Sequence, residues 1–508
     1  MSLDKDRLLE SLLRYNYFPL QKKDKEELPP TLNSVQFTLD VLESLIELPT
    51  RKGGYDQVEY KVTRYNNVPR PLSIPHPLTY ANLCHSLSSN WEKLQYITET
   101  ENSLVIPEVH DDGRIIVMNY ENAKKRTERH VKLSFNKKFY VNTDIANFFP
   151  SVYSHSIPWA LVGFETAKKD RDPKKWFNRI DAHQRATRRD ETNGIPIGPA
   201  SSNIVCEIIL ARIDKVLSND GFEFVRYIDD YSAYFKTHEK AEEFIRRLSE
   251  ELSKYKLLLN IRKTLIEPLP LPCSSEWLLD ITTRIPDQND VKPTNIIRFL
   301  DYAVSKQAST PDGSVLKYAA KSIIYNLKAS TAELVLQYLL SLCTRYPVLL
   351  PLLSISFEEM PSESEFASTA QLLDILDEHA TNKRSDAMAW SLYYLNKFSQ
   401  TIPKGVAETV INTKDCIAIL FLYLSGQYDK EIVAFCDSLD KSDLFLLDQY
   451  WLLLYHLFFC GAISNPYEDK TAYANHLKNK KDTLENAMER EIRLFEVLKN
   501  KGVSFVEA

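Results

Sequence analysis

The sequence predicts an α+β domain over residues 1–280, followed by an all-α, HEAT-like helical domain over residues 281–508. Strand-like runs alternate with helical ones between residues 139 and 267. Past Pro270-Leu-Pro-Cys273 the texture changes, and from about residue 315 one apolar-faced helix follows another. A chain of 508 residues is also too long for one hydrophobic core.

Residues 1–48 read as helical, with Leu8, Leu9, Leu12 and Leu13, then Val41, Leu42, Leu45 and Ile46 at helix spacing around a polar break at 21–30. Residues 51–80 carry Pro, Asn and aromatics and read as loop and short strand. Phe139 to Thr143 is a strand, Asn203 to Leu217 an apolar-faced helix, Phe222 to Phe235 a hairpin and Ala241 to Leu252 a second helix. The later helices are Leu316–Lys328, Ala332–Cys343, Ala367–His379, Asp386–Phe398, Cys416–Leu424, Phe445–Phe459 and Leu484–Leu498. Their pairing suggests a stacked solenoid, with the boundary near residue 280.

Composition removes several classes. The hydrophobic share of 44% and charged share of 26% are those of a globular protein. Seven scattered cysteines, with no CxxC pair, read as reduced thiols of a cytosolic protein. The N-terminus has no apolar run and is not a secretory signal. The most apolar stretch, Leu444 to Ile463, is interrupted by Asp448, Gln449 and His456 and reads as buried helix, so no membrane partner is expected. Net charge is −6, but residues 1–280 balance 40 basic against 40 acidic side chains, which leaves 23 against 29 for residues 281–508. Residues 114–189 hold 17 basic and 7 acidic side chains, a belt able to neutralise phosphates.

Four motifs carry chemistry. Tyr227-Ile228-Asp229-Asp230-Tyr231 places two adjacent carboxylates at a hairpin, where mutual repulsion is costly unless a cation offsets it. Val141-Asn-Thr-Asp144-Ile145-Ala-Asn-Phe148-Phe149 ends a strand on an aspartate followed by paired aromatics. Asn193-Gly194-Ile-Pro-Ile-Gly198-Pro199-Ala-Ser201-Ser202 is a Gly/Pro loop leading into a helix, and Leu257-Leu-Leu-Asn260-Ile-Arg-Lys263-Thr264 closes the set. In order and spacing these resemble motifs A, B, C and D of reverse transcriptases, over about residues 50–270.

The resemblance implies a fingers and palm domain that adds dNTPs to a DNA strand with two Mg²⁺ ions about 3.5–4 Å apart, Mn²⁺ being able to substitute. Asp144 and Asp229 would hold both ions, the Ile145 backbone would lie beside them, and Asp230, expected to point away in a strand of period two, would be auxiliary. Phe149 matches the family's gate against a ribose 2′-OH, and Lys263 its motif D lysine, a proton donor to pyrophosphate. Gly194, Gly198 and Pro199 would position nucleotide or strand end, because glycine lets backbone approach closely. Lys61, Arg64 and Arg70 are fingers-region candidates for the triphosphate.

The flanks narrow the resemblance. Arg70-Pro-Leu-Ser-Ile-Pro-His-Pro77 and Tyr153-Ser-His155-Ser-Ile-Pro-Trp159 look like bacterial abortive-infection polymerases of the type carried by P2-like prophages. That resemblance implies a bacterial cytoplasmic homo-oligomer, trimer or hexamer, acting in anti-phage defence. It also implies untemplated synthesis of single-stranded DNA, covalently attached to a priming tyrosine. Tyr15 and Tyr17, beside the charged 21–28 stretch, are the first candidates for that tyrosine, and Tyr55 and Tyr60 the next. Two other readings stand beside it: a templated, retron-like RNA-directed DNA polymerase, and an inactive polymerase fold used as a scaffold.

Overall fold

The computed structural model describes residues 3–64, 68–118, 123–287, 292–310, 314–324, 329–354, 365–469 and 484–507. The N-terminal helix Lys5–Arg14 starts where the Asp4 carboxylate accepts from the Arg7 backbone N–H at 2.8 Å, and it buries Leu8, Leu9, Leu12 and Leu13. Helix Leu39–Ile46 follows the polar break. Residues 51–80, read as loop and short strand, form a hairpin of β1 (Gln57–Thr63) and β2 (Pro69–Pro75), and Pro77 then opens helix Pro77–Ser89. Proline suits that first helical position, where its missing N–H is not needed.

The predicted strand and hairpin are present as β3 (Phe139–Asp144), β4 (Phe224–Tyr227) and β5 (Asp230–Phe235), joined by β6 (Leu265–Pro268) in an antiparallel sheet of order β4-β5-β3-β6. Helix His238–Lys254 packs against β3, β5 and β6, and helix Ala200–Asn219 packs against that helix. One face of the sheet is thereby covered, and the other carries the carboxylates.

Beyond residue 290 the described residues are helical. Pro293–Ser309 packs on Val315–Ile324 and Ala329–Cys343, Ala329–Cys343 on Glu365–Thr381, and Glu365–Thr381 on Ser385–Lys397 and Lys404–Asn412. The end of the predicted helix Leu316–Lys328, residues 325–328, lies outside the described residues. The apolar 444–463 stretch forms two short helices, Leu444–Gln449 and Trp451–Phe459. No helix among the described residues is long and apolar enough to cross a membrane, and all seven cysteines are unpaired.

This helical part closes back on the start of the chain. Helices Ser385–Lys397, Leu444–Gln449 and Trp451–Phe459 pack against β1, and Leu484–Asn500 against Leu39–Ile46. The Trp451 indole N–H donates to the Ile74 carbonyl at 3.2 Å, and the Phe505 ring meets those of Tyr17, Phe18 and Phe37. One continuous core therefore runs from Leu8 to Val506, across the position near 280 where the sequence changes texture.

Candidate active site

Asp144 ends β3, and the β3–β5 register sets it directly opposite Asp230. Directly paired residues on neighbouring strands point to the same face, so Asp230 shares the face of Asp144. The expectation that Asp230 is directed away is corrected by this register, which motif spacing alone does not give. Asp229 lies in the two-residue turn between Tyr227 and Asp230, which are themselves paired. Its carbonyl accepts from the Ile145 backbone N–H at 3.2 Å, tying the two carboxylate-bearing segments together. Ile228, the other turn residue, has φ +58°, an uncommon conformation for a β-branched side chain and a place where backbone strain is held.

The electrostatics follow from that crowding. Burial first, then Asp230 and Asp144, push the Asp229 carboxyl up to about 6, with Arg70 opposing. Partial burial and Asp144 raise Asp230 as well, although the residue is exposed at the rim, with Lys263 opposing. The Lys263 ammonium donates to Asp144 Oδ2 at 2.6 Å, and that bond raises its own pKa. Asp144 is 6% exposed, and its Oδ1 is buried with no hydrogen-bond partner. A buried carboxylate oxygen left unsatisfied beside two further carboxylates fits a hard divalent cation. Among the described residues no group of three or more His, Cys, Asp or Glu is gathered closely enough to hold an ion alone. Polymerase-type Mg²⁺ sites take the remainder of their shell from water and substrate phosphates.

The other expected residues divide. Arg70, on β2 opposite Val62, reaches near enough to Asp229 to depress its pKa. Lys61 instead pairs with Glu59 at 3.4 Å and lines a polar cavity of about 350 Å³ with Lys383, Lys414 and Asp415 of the helical part. Arg64 is exposed beside residues 65–67, which lie outside the described residues.

Phe149 is 6% exposed and Phe148 3%, so burial does not separate gate from core. The Phe149 carbonyl accepts from the Ile195 N–H at 3.0 Å, which fastens the Gly194–Pro199 loop to the segment after Asp144. A side chain on Gly194 would strike the Arg188 guanidinium, and one on Gly198 would lie 2.7 Å from Pro19 Cβ. Both glycines, at φ +82° and +131°, thus serve close packing of protein on protein. Pro199 precedes helix Ala200–Asn219, whose first N–H donates to the Asn16 carbonyl at 3.0 Å.

The tyrosine candidates fare unequally. Tyr17 has no exposure, donates to the Pro75 carbonyl and stacks on Tyr80 at 4.1 Å, so it lacks the mobility that priming requires. Tyr55 and Tyr60 are equally buried. Tyr15 is half-buried under Arg14 and packs on Gly113.

Sequence reasoning missed the charges beneath the turn. Arg226, with no exposure, pairs with Glu207 at 2.8 Å and Asp214 at 2.7 Å. The signal was present as two acids seven residues apart among the apolar residues of one helix.

The reverse transcriptase (RNA-dependent DNA polymerase) family model matches residues 83–289, which hold the sheet and all three aspartates. Over that segment the chain has a domain of the reverse-transcriptase type. Among solved structures, apo telomerase from Candida tropicalis is similar at 12% identity and TM-score 0.32, over 78% of this chain and 73% of that one. Telomerase from Candida albicans with a telomeric RNA fragment gives 13% and 0.29, over 79% and 66%. The C. tropicalis enzyme truncated from its C-terminal domain gives 11% and 0.30, over 45% of this chain and about half (52%) of that one. Likeness this loose assigns nothing further to the chain. No curated protein matches it.

Proposed function

We propose that this protein is a DNA polymerase of reverse-transcriptase type that extends a strand without a template, primed by one of its own tyrosines, in bacterial anti-phage abortive infection. The observation that carries the polymerase reading is the convergence of Asp144, Asp229 and Asp230, with an unsatisfied Asp144 oxygen, Lys263 and Arg70 around them. Divalent cations bound by Asp144 and Asp229 would supply activation of the attacking hydroxyl and neutralise charge on the leaving pyrophosphate. Arg70 would hold triphosphate oxygens. Lys263, released from Asp144, would hand a proton to the leaving group. Phe149 would press on the sugar and favour deoxyribose.

The untemplated, protein-primed reading draws on the motif flanks and on the acidic 281–508 segment, a poor clamp for a template–primer duplex. Tyr15 is the candidate primer, as the one partly exposed residue among the four tyrosines considered. The matched family description favours a second reading, templated RNA-directed synthesis. Oligomerisation and a cytoplasmic location belong to the same proposal.

The test gives full-length protein single dNTPs with Mg²⁺ and no template. Labelled product is expected, and Asp144→Asn or Asp229→Asn should abolish it while leaving the fold intact; substantial synthesis by either variant would overturn the site. Product formed only with an added RNA template and primer would select the second reading. Peptide mapping of attached nucleotide should find Tyr15, and free DNA would reject protein priming. Phe149→Val should admit ribonucleotides, measured as the dNTP-to-rNTP rate ratio; an unchanged ratio would make Phe149 a core residue.

A further inference from the structure

Arg226 is the last but one residue of β4, entirely buried, and all five of its guanidinium N–H groups are in use. Nε and Nη2 donate to Asp214 Oδ2 at 2.8 and 2.7 Å, and Nη1 and Nη2 to the two Glu207 oxygens at 2.8 Å each. The fifth, from Nη1, reaches the Ile228 carbonyl at 2.8 Å. Ile228 is the turn residue at φ +58°, and the next residue is Asp229. Tyr231, on the far side of the turn, donates its hydroxyl to Asp214 Oδ1 at 3.1 Å. The Arg226 backbone is held too, its N–H donating to Asn102 at 2.7 Å and its carbonyl accepting from Leu104 at 2.8 Å.

A buried ion triad is seldom the most stable filling for such a space, since apolar side chains of similar volume do as well or better. What it offers here is geometry. A planar guanidinium spans two carboxylates and a carbonyl with five donors in a fixed fork, whereas a lysine has three donors on a rotatable ammonium and cannot make all five bonds. The carbonyl it grips belongs to the residue at φ +58°, where backbone strain is held.

We infer that Arg226, held by Glu207 and Asp214, is a positioning residue that sets the Ile228–Asp229 turn against Asp144 and so controls divalent-metal affinity at the carboxylates. The inference rests on the metal-binding reading of Asp144 and Asp229. Arg226 touches neither substrate nor the reacting atoms. Its effect passes through the turn, as groups behind metal ligands commonly act.

The experiment titrates full-length wild type, Arg226→Lys and Glu207→Gln with Mn²⁺ alone by electron paramagnetic resonance, beside thermal unfolding. It also measures dNTP incorporation against Mg²⁺ concentration. Each folded variant should show a Mn²⁺ midpoint raised by about tenfold or more. Its Mg²⁺ requirement for incorporation should rise in parallel, with much of the rate recovered at high metal. A variant with a lower melting temperature but the wild-type Mn²⁺ midpoint would overturn the inference, because packing alone predicts that result. Should Arg226→Lys fail to fold, Glu207→Gln decides, since it retains the arginine and removes one charge-assisted bond. Wild-type protein that binds no Mn²⁺ would instead overturn the metal reading itself.

Discussion

Among the described residues, the buried guanidiniums of Arg226 and Arg51 each lie between two carboxylates and beside tyrosines, and they do different things. Arg226 meets Glu207, Asp214 and Tyr231, all within 19 positions of it in sequence, and every donor is satisfied. Arg51 meets Asp448 and Glu491, which come from the far end of the chain. It sits over the Tyr55 ring at 4.1 Å and the Phe445 ring at 5.2 Å. Its Nη1 and Glu491 Oε2 have no hydrogen-bond partner, and Glu491 lies 3.7 Å away. Burial, with Glu491 adding to it and Arg51 opposing, lifts the Asp448 carboxyl to about 7. A saturated network of local origin shapes a turn. An undersaturated one of long range ties the chain ends together and leaves a carboxyl near neutrality.

The largest effect should come from removing one side of the long-range network. A 1–280 fragment loses Asp448, Glu491, Trp451 and Phe505, so Arg51 keeps no buried anion and Tyr17 loses its cover. It should aggregate or lose cooperative unfolding by size-exclusion chromatography and near-UV dichroism. A soluble, fully active fragment would show that the helical part is a separable module and that the Arg51 network is dispensable.

A smaller effect separates the networks by pH. Asp448 has a folded pKa near 7 against an unfolded value near 4, so the folded state keeps a proton that the unfolded state releases. Stability should therefore fall as pH rises from about 4 to 7, by at most about 4 kcal/mol at 1.4 kcal/mol per unit. In Asp448→Asn that slope should flatten in denaturant titrations, and a slope as steep as wild type would sink the assignment.

The smallest effect sits at the Ile228–Asp229 turn. Asp229 is raised to about 6, so above that pH its charge opposes folding when no metal is bound. Asp229→Asn should raise the melting temperature of metal-free protein at pH 8 by about 1–3 °C while removing activity. A lower melting temperature would mean that the carboxylate is stabilised by contacts other than those seen here.

Much of the candidate site was legible because its signals are short in range. A strand ending on Asp144, a hairpin enclosing Asp229 and Asp230 and a Gly/Pro loop before a helix are local patterns of period two, turn chemistry and charge. The sequence by itself therefore determined the order of the strands and helices over residues 139–267, the places of Asp144 and Asp229 at a strand end and a hairpin turn, and the change of texture near 280. Tertiary structure decided which side chains meet. Register across β3 and β5 turned Asp230 towards Asp144, and the turn before β6 brought Lys263 to Asp144. The β1–β2 hairpin sent Arg70 to the carboxylates and Lys61 to the helical part, and closure of residues 444–507 put Tyr17 in the core. These outcomes depend on pairing and packing between segments up to some 490 residues apart, such as Tyr17 and Phe505, which no local pattern encodes.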